Sequence, residues 1–321
     1  MKSSFKRLCK VIVLAAMSGV LPREGWSQIS SENSDRHFIT NARAAAMADA
    51  IVSDATDISS MYWNPASIVF LQERSVVVNY SLERIRGRDD MMNENVAVAL
   101  MNRDDLAFGI GATYSHVGHV GNDSPISGYS FNQGSLDLAA AMALSRFFSA
   151  GIISTVRYGR VPSRSATTLS AGLGLMYYPS SVISYALSFQ GVGDGMEYSF
   201  DSSEERTILT RGSLTQSMQV GITSRFGGEE GRPTIVLTAA DQKIFGKNGF
   251  IYKGGVEAWV ARFLALRLGY WVGPESIAAR YGGGIRAGQW RLDYGVSTTE
   301  LEPRFHQVSV SYCFPSHLSR R

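Results

Sequence analysis

The residues best suited to chemistry lie in the last third of the chain. Lys253, Glu257, Arg267, Arg280, Arg286, Arg291 and Asp293 fall in one phase of segments whose alternate residues are largely apolar. Charges in such a phase need water or opposite charges, because an unpaired buried charge is expensive. They can line a ligand or anion path. They can also pair with Asp49, Asp54 and Asp57 upstream, and pairing is the usual solution in a filled interior. Other constellations are weaker. His116 and His119 have no third ligand near them, so an exposed loop explains them better than a metal site. Serines, histidines and aspartates occur without a nucleophile motif. Gly282–Gly284 lack the Lys-Ser/Thr that follows a phosphate loop, and are expected to permit strand bending or close approach of another segment. No catalytic residue, metal or cofactor is expected.

The elements that carry these charges read as strands. Apolar residues recur at every second position, the β period. Segments 75–82, 94–101, 105–117, 135–146, 148–159, 167–178, 182–192, 214–226, 232–241, 249–260, 263–272, 277–287, 289–297 and 305–314 show it. Leu136, Leu138, Met142 and Leu144 oppose Ser135, Asp137, Ala139 and Ala141, for example. Connections alternate between short ones, such as Phe147 and Gly288, and longer ones, such as 118–134 and 193–213. Outer-membrane barrels have that parity, with short periplasmic turns and long external loops. Tyr80, Tyr114, Tyr158, Phe189 and Tyr270 fall near one end of their segments, and Tyr177, Phe226 and Phe314 near the other. Two aromatic girdles are expected at the two interfaces of a bilayer. The fold class is therefore all-β: a transmembrane antiparallel barrel of about fourteen strands over 75–314, with both termini in the periplasm.

The start of the chain has the makings of a cleavable signal peptide over 1–27. Lys2, Lys6, Arg7 and Lys10 precede the apolar run Val11–Leu21, and small residues follow at Gly25 and Ser27. That leader holds five of the 31 Lys/Arg and one of the 28 Asp/Glu, so the remainder is nearly neutral and nothing favours nucleic acid. Cys9 lies in the leader and Cys313 stands alone after it, which excludes an intramolecular disulfide. The expected domains are the leader, a periplasmic lead and plug over 28–74, the barrel, and a polar tail over 315–321.

The plug is the Ala-rich stretch Asn41–Leu71, which lacks β alternation. Asn41 can cap a helix over Ala42–Ala50, and Asp57 a second turn to Trp63 that Pro65 stops. Ala42, Arg43, Ala44, Met47, Asp57, Ser59, Tyr62, Asn64, Pro65 and Ala66 resemble the N-terminal signature of the PorV/PorQ outer-membrane proteins, which are similar in fold to FadL fatty-acid channels. A second resemblance covers Leu264–Tyr270, Leu292–Tyr294 and His306–Tyr312. Where that family carries glycines, this chain has Asn41, Ala48 and Asp49. In FadL-like channels the similar Asn-Pro-Ala element belongs to the hatch; the plainer reading is a turn leading to the first strand.

The resemblance implies a location in the outer membrane, among its lipid. It implies an accessory role in protein secretion or surface attachment of the type IX kind, with secreted cargo or secretion machinery as partners. The alternative is a FadL-like channel for passive uptake of hydrophobic small molecules. The Ser-, Thr- and charge-rich loop 193–213 and the charged lumen favour the first, because pockets for greasy ligands are mostly apolar.

Overall fold

In this computed structural model the described residues are 41–314, apart from 72–73, 84–90, 103–104, 118–130, 162–163, 194–195, 203–204, 213, 229–233, 275–276 and 300–304. The expected leader, the lead to residue 40, the tail and His119 lie outside them.

Strands in chain order are β1 (Arg74–Glu83), β2 (Met91–Asn102), β3 (Leu106–Val117), β4 (Phe131–Ser145), β5 (Phe148–Val161), β6 (Arg164–Ser180), β7 (Ile183–Gly193), β8 (Met196–Ser202), β9 (Glu205–Gly212), β10 (Ser217–Phe226), β11 (Ile235–Ile244), β12 (Ile251–Ala261), β13 (Leu264–Val272), β14 (Ile277–Ala287), β15 (Trp290–Thr299) and β16 (Phe305–Phe314). Fourteen of them form a closed antiparallel barrel in which β1 pairs with β16 and β7 pairs with β10. Closure leaves no unpaired strand edge. The fourteen barrel strands are those expected from the alternation. The stretch 193–213, expected as a loop, instead contains β8 and β9 as a separate two-stranded sheet. Met196-Glu197-Tyr198-Ser199-Phe200 already shows the strand period.

The barrel is inside out relative to a soluble one. Leu268 is 66 % exposed while its neighbour Arg267 is 1 % exposed. The same contrast repeats on β4, where Leu136 and Leu138 are exposed around a buried Asp137. Hydrocarbon surroundings demand this arrangement, since a charge on the outer face would cost about 2–4 kcal/mol at mid-bilayer. Aromatics ring both ends of the outer face. Tyr114 and Tyr270 stand near one end, and Tyr177, Trp290 and Phe314 near the other.

The N-terminal segment fills the lumen in three short helical pieces. Helix α1 spans Ala42–Ala46, and the Asn41 side chain accepts from the Ala44 N–H at 2.7 Å. It ends four residues earlier than the expected Ala50. Ala48 and Asp49 both adopt φ 56°, and their N–H groups return to the Ala45 and Ala44 carbonyls at 3.1 and 2.9 Å. This is a Schellman stop, in which the left-handed residue is usually glycine. A 3-10 helix over Ile58–Tyr62 follows, capped by Asp57. That turn ends before Pro65 as expected, at Tyr62 with Trp63 as its C-cap, but Pro65 does not end the helical path. It opens a further 3-10 helix, Pro65–Phe70, capped by Asn64. At the first helical position its missing N–H would have had no partner anyway.

Glycines on the wall make room for these pieces. Gly255, Gly269, Gly282 and Gly295 on β12–β15 face Ala42–Ala48, and a Cβ at Gly269 would lie 2.6 Å from the Met47 carbonyl carbon. On the opposite side a Cβ at Gly151 would lie 2.6 Å from the backbone of Pro65 and Ala66. Gly254 has nothing within 4 Å of its Cβ position. Gly151→Val should therefore displace the plug and raise single-channel conductance in planar bilayers, whereas Gly254→Val should not. Equal conductance for both variants would show that the glycine seat does not hold the plug.

Candidate functional site

Arg43 is the centre of a chain of alternating charges. It donates to Asp54 at 2.5 Å and to Glu257 at 2.9 Å. Asp54 also receives Arg225 of β10 at 2.9 Å. Glu257 of β12 pairs with Arg267 of β13 at 2.7 Å, and Arg267 with Asp293 of β15 at 2.9 Å. Arg291 bonds Asp293 at 2.7 Å and reaches back to Asp57 of the plug. Four arginines and four carboxylates thus alternate from wall to plug, across the wall and back to the plug. A separate pair joins Arg280 of β14 to Asp49 at 2.5 Å. Burial works against the charge on Asp54, but Arg43 and Arg225 outweigh it and hold its carboxyl at about 2.

The other plug residues singled out from the sequence sit at contacts with the wall. The Ala42 N–H donates to Ser309 Oγ at 2.6 Å, and the Ala66 carbonyl accepts from Ser149 Oγ at 2.8 Å. Ala44 and Met47 pack with Ile51, Trp63 and Val236. The Tyr62 hydroxyl accepts from Asn95 Nδ2 at 2.8 Å, and burial pushes its phenol well up, keeping it protonated. Asn64 Nδ2 donates to the carbonyls of Val52 at 3.2 Å and Leu175 at 3.1 Å, so it ties the segment to β6 while its oxygen caps the helix of Pro65. Of the wall charges, Arg286 lies 4.5 Å over the Trp259 ring. Lys253 contributes to the lining of a cavity. His116 bonds Asn132 at 2.7 Å at the end of β3, and no cluster of three metal-ligating groups occurs among the described residues.

That cavity, of about 210 Å³, was not anticipated from the sequence. Ala48, Asp49, Tyr62 and Trp63 form its plug side. Thr155, Gln219, Lys253, Trp271 and Arg280 contribute to its walls. Glu257, Arg267, Arg291 and Asp293 are not among its lining residues. Arg225, Gln219 and Trp271 were also overlooked, although strand phase was the available signal. Arg225 shares the inward phase of Thr223, and Trp271 that of Arg267.

No protein-family model and no curated protein matches the sequence. Solved structures do. The Ralstonia pickettii toluene transporter TbuX is similar with a TM-score of 0.67 at 11% identity, over 87% of this chain and 99% of that one. The CymD monoaromatic hydrocarbon channel gives 0.65 at 12%, over 87% and 98%. A Pseudomonas aeruginosa FadL homologue gives 0.62 at 12%, over 86% and 98%. At these identities the likeness is one of fold: this chain has the FadL-like, plugged fourteen-strand barrel. The comparisons give no support to PorV/PorQ membership or to a secretion role.

Exchanging Arg43 for methionine would leave Asp54 and Glu257 facing an apolar group. Removing one partner of a buried pair costs about 3–5 kcal/mol. Arg43→Met should loosen the plug by that order, seen as new protease cleavage within 41–71 and raised conductance, with the barrel still migrating as folded. Unchanged protection would show that Arg43 does not hold the plug.

Proposed function

We propose that this protein is an outer-membrane channel for hydrophobic small molecules. The observation that carries the reading is the correspondence of the whole plugged barrel, nearly end to end, with channels for toluene and other monoaromatic hydrocarbons. The outward apolar face and its two aromatic girdles support residence in a bilayer. The leader over 1–27 supports export, and the plug residues 41–71, Asn64-Pro65-Ala66 among them, serve as the hatch.

This ranking reverses the one drawn from the sequence, and the reason is physical. A charged lumen counted against a greasy ligand as long as the charges were free to line the path. Glu257, Arg280 and Arg291 instead pair with the plug, Arg267 and Asp293 pair with them or with each other, and the cavity beside the plug carries Tyr62, Trp63 and Trp271. A pocket with aromatic surface and a few polar groups suits a small organic ligand.

Two experiments test the proposal. A deletion strain should lose uptake of labelled monoaromatic substrates and keep its surface and secreted proteome. Intact uptake with an altered surface proteome would restore the secretion reading. An epitope inserted in 193–213 should label on intact cells, and one in 227–231 should not; reversed labelling would invert the orientation.

A further inference from the structure

The plug segment between Arg43 and Asp54 is a closed loop. Its base is the Arg43–Asp54 pair at 2.5 Å, and the two are tied to the wall through Glu257 and Arg225. Its tip is Ala48–Asp49. Among the described residues these are the two non-glycine residues with positive φ, and both line the cavity. A residue with a Cβ is disfavoured in that conformation, and such strain persists only where surrounding contacts hold it.

Local contacts do hold it. The Ala48 and Asp49 N–H groups return to the carbonyls of Ala45 and Ala44 at 3.1 and 2.9 Å. Ala48 lies on Gly269 of β13, where a Cβ would come 2.4 Å from its nitrogen. Asp49 Oδ2 accepts from Arg280 Nη1 at 2.5 Å. That pair is less fully bonded than the base of the loop. Asp49 Oδ1 and Arg280 Nε have no hydrogen-bond partner among the described residues, whereas Arg43 and Asp54 each bond two opposite charges. The Asp49 side chain is 14% exposed, against 2% for Asp54. Asp49 and Arg280 line the cavity, and Arg43 and Asp54 are not among its lining residues.

We propose that Asp49–Arg280 is a latch: it holds the strained tip closed, and a small molecule seated in the cavity releases it while the Arg43–Asp54 base stays in place. The proposal rests on the channel reading. Because the tip is one side of the cavity, its two positions give the cavity two shapes. A ligand that fits the larger shape better favours release. Arg280 is then a positioning residue that acts through Asp49.

Single-channel recording in planar bilayers reads the latch, and uptake of labelled toluene by cells reads the channel. Arg280→Gln should open at least about ten-fold more often than the unchanged protein. Asp49→Asn should do the same, and the two together no more than the larger single effect, because they remove one interaction. Ala48→Gly added to Arg280→Gln should lower the openings several-fold, since glycine holds a left-handed turn without strain. Toluene should raise the openings of the unchanged protein and add little to those of Arg280→Gln. Barrel mobility on unheated gels reports whether each variant is folded. Openings of Arg280→Gln no more frequent than those of the unchanged protein, or a rise on adding Ala48→Gly, would overturn the latch; with uptake intact, the channel would stand. Absence of toluene uptake by the unchanged protein would overturn the channel reading itself.

Discussion

The structure depends on the alternating chain that runs Arg225–Asp54–Arg43–Glu257–Arg267–Asp293–Arg291–Asp57. Each interior charge in it has an opposite charge on both sides, so none is left to polarise an apolar neighbour. Such pairs are weak evidence for net stability, because desolvation offsets most of the attraction. Their stronger effect here is on placement. Asp54, Arg43 and Asp57 belong to the plug and the other five to the wall, so a plug shifted by one residue would leave several charges unmatched. The attraction comes from elsewhere. Ile58, Met61, Ile68 and Val69 pack against Val77, Ala97, Ala139 and Ile153, and burial of apolar surface stabilises by about 25 cal/mol per Å².

Small residues connect the two effects. α1 consists of alanines around Arg43, and it lies against glycines on β13, β14 and β15, while Gly255 of β12 faces Met47 just beyond it. Backbone can then approach backbone, and a side chain as long as arginine can reach the wall without holding the helix away from it. Larger residues at the glycine positions would lift the helix and stretch the ion pairs together. The glycines that the sequence suggested were for close approach include Gly282, which faces Ala46.

Much of this was legible in the sequence. A period of two fixes which side chains face in, and the fourteen barrel strands follow from it because inward and outward surroundings differ so strongly. Plug caps at Asn41 and Asp57 were visible as residue types, whereas the cap at Asn64 was not read from the sequence. The helix end at Met47 was not, because an alanine and an aspartate occupy left-handed positions that usually announce themselves as glycine. Nor was the cavity: it exists where the plug fails to meet the wall, and no local pattern records a gap between distant segments. The ranking of functions is revised for the same reason, since phase shows that Glu257 and Arg267 face inward but not that Glu257 pairs with Arg43 of the plug and Arg267 with its neighbours on the wall.

On the proposed channel reading, the same contacts limit how the barrel could open. Expelling the plug whole would exchange four plug-to-wall ion pairs, those of Asp49, Arg43, Asp54 and Asp57, for water at once. It would also undo both glycine seats and the apolar clusters. A ligand can shift an equilibrium only by its differential affinity for the two states, and one small ring touches none of the central pairs. A ring held in the cavity would instead meet Ala48 and Asp49, which line it and hold a backbone conformation unfavourable to residues with a Cβ. Asp49 is more exposed than the other plug carboxylates in these pairs, and its ion pair with Arg280 of the wall lies outside the alternating chain. The least costly opening is therefore a local rearrangement of the turn after α1, with Arg43 and its neighbours left in place.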